Sequence, residues 1–128
     1  MTAPTTVLLV DDDKEFLSSV SILLQKAGFA CVTAEDGETG LHLAATQSPS
    51  VAVVDLDMPL VNGIEFARQI HDRELNVPII IISGHSVLEL PTTINTSGVA
   101  GFVQKPMRIN ELVEAIQAAV AADRSQHS

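Results

Sequence analysis

Residues 51–59 read VAVVDLDMP, and their reading decides the fold. Four small apolar residues, three of them β-branched Val, fit a strand buried on both faces, because no polar residue alternates with them. Short, fully apolar strands of this kind belong in a parallel sheet covered by helices on both sides. The run then meets Asp55, Leu56 and Asp57 before Met58 and Pro59. Two carboxylates at one strand exit repel each other unless a positive group lies between them. What that group is, and why the chain keeps both acids, is the question the stretch raises.

Outward from this stretch, apolar runs alternate with helical patterns. Residues 6–10 predict a first strand ending at Asp11. Phe16, Val20, Leu23, Leu24 and Ala27 follow at helical spacing, and Gly28 stands where that helix would close in the left-handed conformation. Residues 30–34 predict a second strand, and Leu41, Leu43, Ala44 and Ala45 mark a helix of small residues. The third strand is 51–54, followed by a helix from about Gly63 with Ile64, Ala67 and Ile70 on one face. Residues 78–83 form the most apolar strand and 101–104 the fifth. Ile109, Leu112, Val113, Ile116 and Val120 then predict a final amphipathic helix with Asn110 as its N-cap.

Residues 86–97, SVLELPTTINTS, are unlike the other helical segments. Ser86 and Glu89 form a capping box, but Pro91 interrupts the helix they would start, and the residues after it are poor helix formers. A short or irregular fourth helix, the most mobile part of the domain, is expected there. The polar tail 123–128 is expected to fray.

A chain of 128 residues has the size of one domain with a real core. Its 46% hydrophobic and 18% charged residues place it with soluble globular proteins. The strongest apolar run, 79–82, is far too short to cross a bilayer. The start, MTAPTT, lacks the basic region of a signal peptide, so a cytoplasmic location is expected. Cys31 stands alone, which agrees with a reducing compartment. The net charge of −9 argues against direct nucleic-acid binding, which needs clustered Lys and Arg. With no Trp or Tyr, the chain also lacks an aromatic platform for stacking bases.

In doubly covered parallel sheets, ligands bind beyond the carboxyl ends of the strands. Five exits are therefore of interest: Asp11-Asp12-Asp13, Glu35-Asp36, Asp55-Leu56-Asp57, Ser83-Gly84-His85 and Lys105-Pro106. If Asp11, Asp12 and Asp55 sit on adjacent strands, two of their charges ~4 Å apart repel by roughly 4 kcal/mol at an effective dielectric near 20. A hard divalent cation reverses that sign, and an oxygen-only ligand set suits Mg²⁺ or Mn²⁺ better than zinc. Lys105 can neutralise a phosphoryl oxygen at the same site, and Ser83 offers a hydroxyl donor. Taken singly, these are a solvated loop acid, a surface lysine and a turn serine. Together they point to phosphoryl chemistry.

The stretches VLLVDDD, AEDGETGL, VVDLDMPLVNG, VPIIIISGH and GFVQKPM, in that order and spacing, resemble the receiver domain of two-component response regulators. The resemblance runs from about Thr6 to Ala122. It implies a flavodoxin-like α/β fold, a doubly wound five-stranded parallel sheet of order 2-1-3-4-5 with helices on both faces. Residues 1–122 would be the receiver domain and 123–128 a polar tail or the start of a linker.

For function, the resemblance implies a bacterial signalling switch rather than an enzyme, with self-catalysed phosphorylation and dephosphorylation. Asp55 would accept a phosphoryl group from the phosphohistidine of a histidine kinase or histidine phosphotransfer protein. Mg²⁺ would be held by Asp11, Asp12, Asp55 and the backbone carbonyl of Asp57. Lys105, before a cis bond to Pro106, would pair with the phosphoryl group. Ser83 and Phe102 would turn inward as a switch and change the surface of the fourth helical segment, fifth strand and final helix. A downstream protein target, a fused output domain or a phosphorylation-dependent homodimer would read that surface. In this family His85 and Asp57 occupy positions that tune hydrolysis, whereas His42 and His71 read as solvent-facing or locally satisfied. Ser83 stands where Thr is commoner, and Gly84 where Ala is frequent.

Two other classes share parts of this pattern. A haloacid-dehalogenase-like phosphatase also uses Asp-x-Asp, Mg²⁺, Ser or Thr and Lys, but here the motif lies on the third strand and the chain has no room for a cap. A receiver-like interaction module that is never phosphorylated would not need the full set Asp11, Asp12, Asp55, Ser83 and Lys105. A dinucleotide-binding domain is excluded by an acidic, not Gly-rich, first turn.

Overall fold

Residues 51–55 form β3 (Val51–Asp55), a strand buried at every position. The computed structural model, which describes residues 4–84 and 99–127, sets β3 between β1 (Thr6–Val10) and β4 (Ile79–Ser83). With β2 (Ala30–Ala34) and β5 (Val99–Gln104) at the edges, the sheet is parallel throughout and ordered β2-β1-β3-β4-β5. That is the order implied by the family resemblance.

Both faces of the sheet are covered, which explains the unbroken apolar runs. Side chains alternate along a strand, so neighbours enter different cores. Val7, Leu9, Val51, Val53, Ile80 and Ile82 pack with Leu17, Val20 and Leu24 of α1 (Lys14–Lys26) and with Leu112 and Ile116 of α4 (Ile109–His127). Leu8, Val10, Ala52, Val54, Ile79 and Ile81 pack on the other face. Their partners are Leu41 and Ala44 of α2 (Gly37–Gln47) and Phe66, Ala67 and Ile70 of α3 (Gly63–Asp72). The edge strand β2 is only partly buried, and Thr33 can remain exposed there.

The helix ends follow from local chemistry. Beyond Ala27, Gly28 takes φ +100°, its N–H donates to the carbonyl of Gln25, and the N–H of Phe29 donates to that of Leu24. These two bonds help satisfy the carbonyls of the last turn, and a side chain at Gly28 would be strained. At the other end of the next helix, Gly37 is needed for space. A Cβ there would lie 2.5 Å from both the Cβ and the carbonyl oxygen of Val61.

Several expectations are corrected. Leu17 belongs to the buried face of α1, whereas Leu23 is 42% exposed. Phe66 is the large buried side chain of α3, and Ile64 is only half-buried. Asn110 is not an N-cap: α4 starts at Ile109, and the Arg108 carbonyl already accepts from the N–H groups of Glu111 and Leu112. The same helix continues through His127, so 123–127 are helical rather than frayed. The expectations for 86–97 and for His85 lie outside the described residues.

Candidate functional site

Register brings the acidic exits together. Val10 is level with Val54 on adjacent strands, so Asp11 leaves the sheet beside Asp55. Backbone pairing continues past the strand ends. The N–H of Asp11 donates to Ala34 at 3.1 Å, that of Leu56 to Ile82 at 2.8 Å, and that of Lys105 to Ser83 at 2.7 Å. The site is therefore mounted on the sheet itself rather than on free loops.

Two of the exits are built alike. A carboxylate oxygen of Asp11 accepts the N–H of Asp13 at 2.9 Å, and one of Asp55 accepts the N–H of Asp57 at 3.2 Å. Each is a short side-chain turn that swings the chain out of the strand and holds the carboxylate over the sheet edge. Both acids are enclosed, Asp11 at 1% and Asp55 at 6% exposure. Asp12 is exposed at the rim, yet Asp11, Asp12 and Asp55 can each offer an oxygen such that all three lie within 4.8 Å of one another. Asp57 is exposed at the mouth.

The remaining acids at strand exits serve the helices. Asp13 caps α1, accepting from the N–H groups of Glu15 and Phe16 at 3.0 and 3.2 Å. Asp36 caps α2 through the N–H of Thr39 at 2.7 Å, which holds its carboxyl below the usual range. Glu35 pairs with Lys14 at 3.6 Å on the surface.

Lys105 brings a positive charge to Asp55 and shares it with Asp11. Its Nζ lies 2.9 Å from Oδ2 of Asp11 and 3.8 Å from Oδ2 of Asp55. The bond from Lys105 to Pro106 is cis, as the resemblance implied. Burial pushes the Asp55 carboxyl above its ordinary value. The Asp57 N–H opposes that shift, the Asp11 charge adds to it, and Lys105 offsets part of it. One ammonium shared by two enclosed carboxylates leaves the site acidic enough to welcome a second cation.

Ser83 is buried at the neighbouring exit, at 4% exposure. Phe102, on β5, is half-buried against the core beneath α2 and α3. His42 and His71 face solvent. One contact has no counterpart in the sequence reading: the Lys105 ammonium lies 4.3 Å from the centre of the Phe16 ring. Helical spacing assigned Phe16 to the core. The available signal was its place in the first turn of the helix leaving the Asp11–Asp13 exit.

The model of the response regulator receiver domain matches residues 7–117. The chain belongs to that family. It is similar to the transcriptional regulatory protein FixJ of Rhizobium meliloti, 32% identical over 89% of this chain and 56% of FixJ. The C4-dicarboxylate transport transcriptional regulatory protein DctD of Pseudomonas aeruginosa is 30% identical over 95% of this chain but 26% of DctD. The chain thus spans about a quarter to a half of the length of these relatives. Among solved structures, the FixJ-N crystal structure is 31% identical with a TM-score of 0.84, covering 94% of this chain and 96% of that one. A CheY-like receiver domain protein from Methanospirillum hungatei shares the fold at a TM-score of 0.87 and 22% identity, over 97% of this chain and 99% of that one. Among the described residues, no helix is long and apolar enough to cross a membrane.

Proposed function

We propose that the chain is a phosphorylation-dependent signalling switch in which Asp55 accepts a phosphoryl group from a phosphohistidine. The observation that carries this reading is that Asp55, an enclosed carboxylate, stands with two others, Asp11 and Asp12, and with the Lys105 ammonium 3.8 Å away, which it shares with Asp11. A carboxylate oxygen of Asp55 would attack phosphorus as the P–N bond breaks, giving an acyl phosphate and returning the electron pair to the imidazole. Lys105 would pair with a phosphoryl oxygen, and Ser83 would donate its hydroxyl to another.

Asp11, Asp12 and Asp55 can bring oxygens within 4.8 Å of one another, and with the backbone carbonyl of Asp57 they would make an oxygen-only donor set that fits Mg²⁺, with Mn²⁺ as a substitute. Bound there, the cation supplies neutralisation of phosphoryl charge. Inward movement of Ser83 and Phe102 would pass the change to β5 and its neighbours. The receiver domain is assigned to 1–122, the remainder to a tail or linker. Its partners would be a histidine kinase or phosphotransfer protein upstream and a fused output domain or separate target downstream. DctD and FixJ, by name, are transcriptional regulators longer than this chain, which favours a fused output. Cytoplasmic placement follows from such partners.

The experiment is incubation with phosphoramidate, a small P–N donor, and Mg²⁺, followed by hydroxylamine. An acyl phosphate on Asp55 is expected to be cleaved by hydroxylamine. A label that survives would place the phosphoryl group on a hydroxyl such as that of Ser83 and defeat the assignment.

A further inference from the structure

Among the described residues, the ammonium of Lys105 meets two carboxylates and one aromatic ring. The ring is that of Phe16, 4.3 Å away at its centre. This ring stands in the first turn of α1, where the backbone N–H of Phe16 is fixed by the Asp13 cap. The ring also packs against the core under α1 and α4, and it lines a cavity of about 500 Å³ with Lys105, Pro106 and Met107. The segment 11–16 thus delivers an acid that pairs with Lys105, a rim carboxylate and an aromatic face to one place.

An aromatic face attracts a cation through its quadrupole without bearing formal charge. A third carboxylate in that position would hold the ammonium more tightly, but it would add negative charge that repels an incoming phosphoryl group. We infer that Phe16 is a positioning residue for Lys105: its ring keeps the ammonium within reach of Asp55 while leaving the positive charge available to an incoming phosphoryl oxygen. This role rests on the acceptor reading of Asp55 given above. It differs from a plain core role, in which only the volume and hydrophobicity of the side chain matter.

The test varies the quadrupole at nearly constant shape. Phe16 is replaced in the full chain by mono-, di- and trifluorinated phenylalanine, alongside Phe16→Leu and Phe16→Tyr. Two readouts are taken: the rate of phosphoryl gain from acetyl phosphate at saturating Mg²⁺, and the proton shift of the Lys105 ε-methylene, which a ring face moves upfield. The rate is expected to fall stepwise with fluorination and roughly three- to five-fold in Phe16→Leu, with Phe16→Tyr recovering most of that loss. The upfield shift should be present in the wild type and vanish in Phe16→Leu. Melting temperatures identify any variant whose rate falls through unfolding. A labelled wild type with a flat fluorination series overturns the role of Phe16 alone, as does a Lys105 shift unchanged in Phe16→Leu. An unlabelled wild type overturns the acceptor reading and this role with it.

Discussion

Asp55 is 6% exposed and stands beside Asp11, another enclosed acid, with Lys105 nearer to Asp11 than to Asp55. Burial and like charge both disfavour ionised Asp55 in the folded chain, and one shared ammonium only partly offsets them. Asp55→Asn keeps the shape and removes the charge. In a chelator at neutral pH the variant should therefore be more stable by about 1 kcal/mol, a rise of roughly 3–6 °C in melting temperature for a domain of this size. Mg²⁺ should narrow the gap by raising the wild type, because a ligand that binds only the folded state stabilises it. Thermal melts with and without Mg²⁺ check this, and a lower melting temperature for Asp55→Asn in chelator would contradict it. At this scale sequence is ambiguous for a physical reason. Aspartate serves equally as a metal ligand and as a helix cap, so nothing local separates the proposed ligands Asp11 and Asp12 from the caps Asp13 and Asp36.

Asp36 shows what the caps contribute to the elements. Its carboxylate accepts the Thr39 N–H at the start of α2, and that bond lowers its pKa. A carboxyl whose pKa falls on folding stabilises the fold above its unfolded value, and the contribution is lost as pH drops through the lowered value. Asp36→Ala should cost about 1 kcal/mol near neutral pH, and the difference should shrink in acid. Asp36→Asn caps without titrating, so its lead over Asp36→Ala should stay constant with pH. Denaturant unfolding of the three proteins across this pH range measures it, and a pH-independent loss in Asp36→Ala would refute the cap's charge dependence. Strands were the most legible elements, since burial on both faces writes them as apolar runs. Helix faces were less so. In α1 the periodicity fits two neighbouring stripes, and only packing against β1, β2 and α4 selects Leu17 over Leu23. The extent of α4 was hidden because the polar residues 123–127 can end a helix or continue it.

Across the whole molecule, strand order was supplied by the family resemblance and not by periodicity, which cannot say which strands are neighbours. Once the order is fixed, convergence of Asp11, Asp12, Asp55 and Lys105 follows from the rule that exits of a parallel sheet share one edge. The contact between Phe16 and Lys105 was not legible, because it joins the first helix to the last strand exit and leaves no local pattern. The account depends on one chemical event at this edge, the gain of a phosphoryl group by Asp55. Its most direct test is the intact mass of wild type and Asp55→Asn after incubation with acetyl phosphate and Mg²⁺. A gain of one phosphoryl group is expected in the wild type, abolished by chelating the metal, and none in Asp55→Asn. Equal labelling of the two proteins would contradict it.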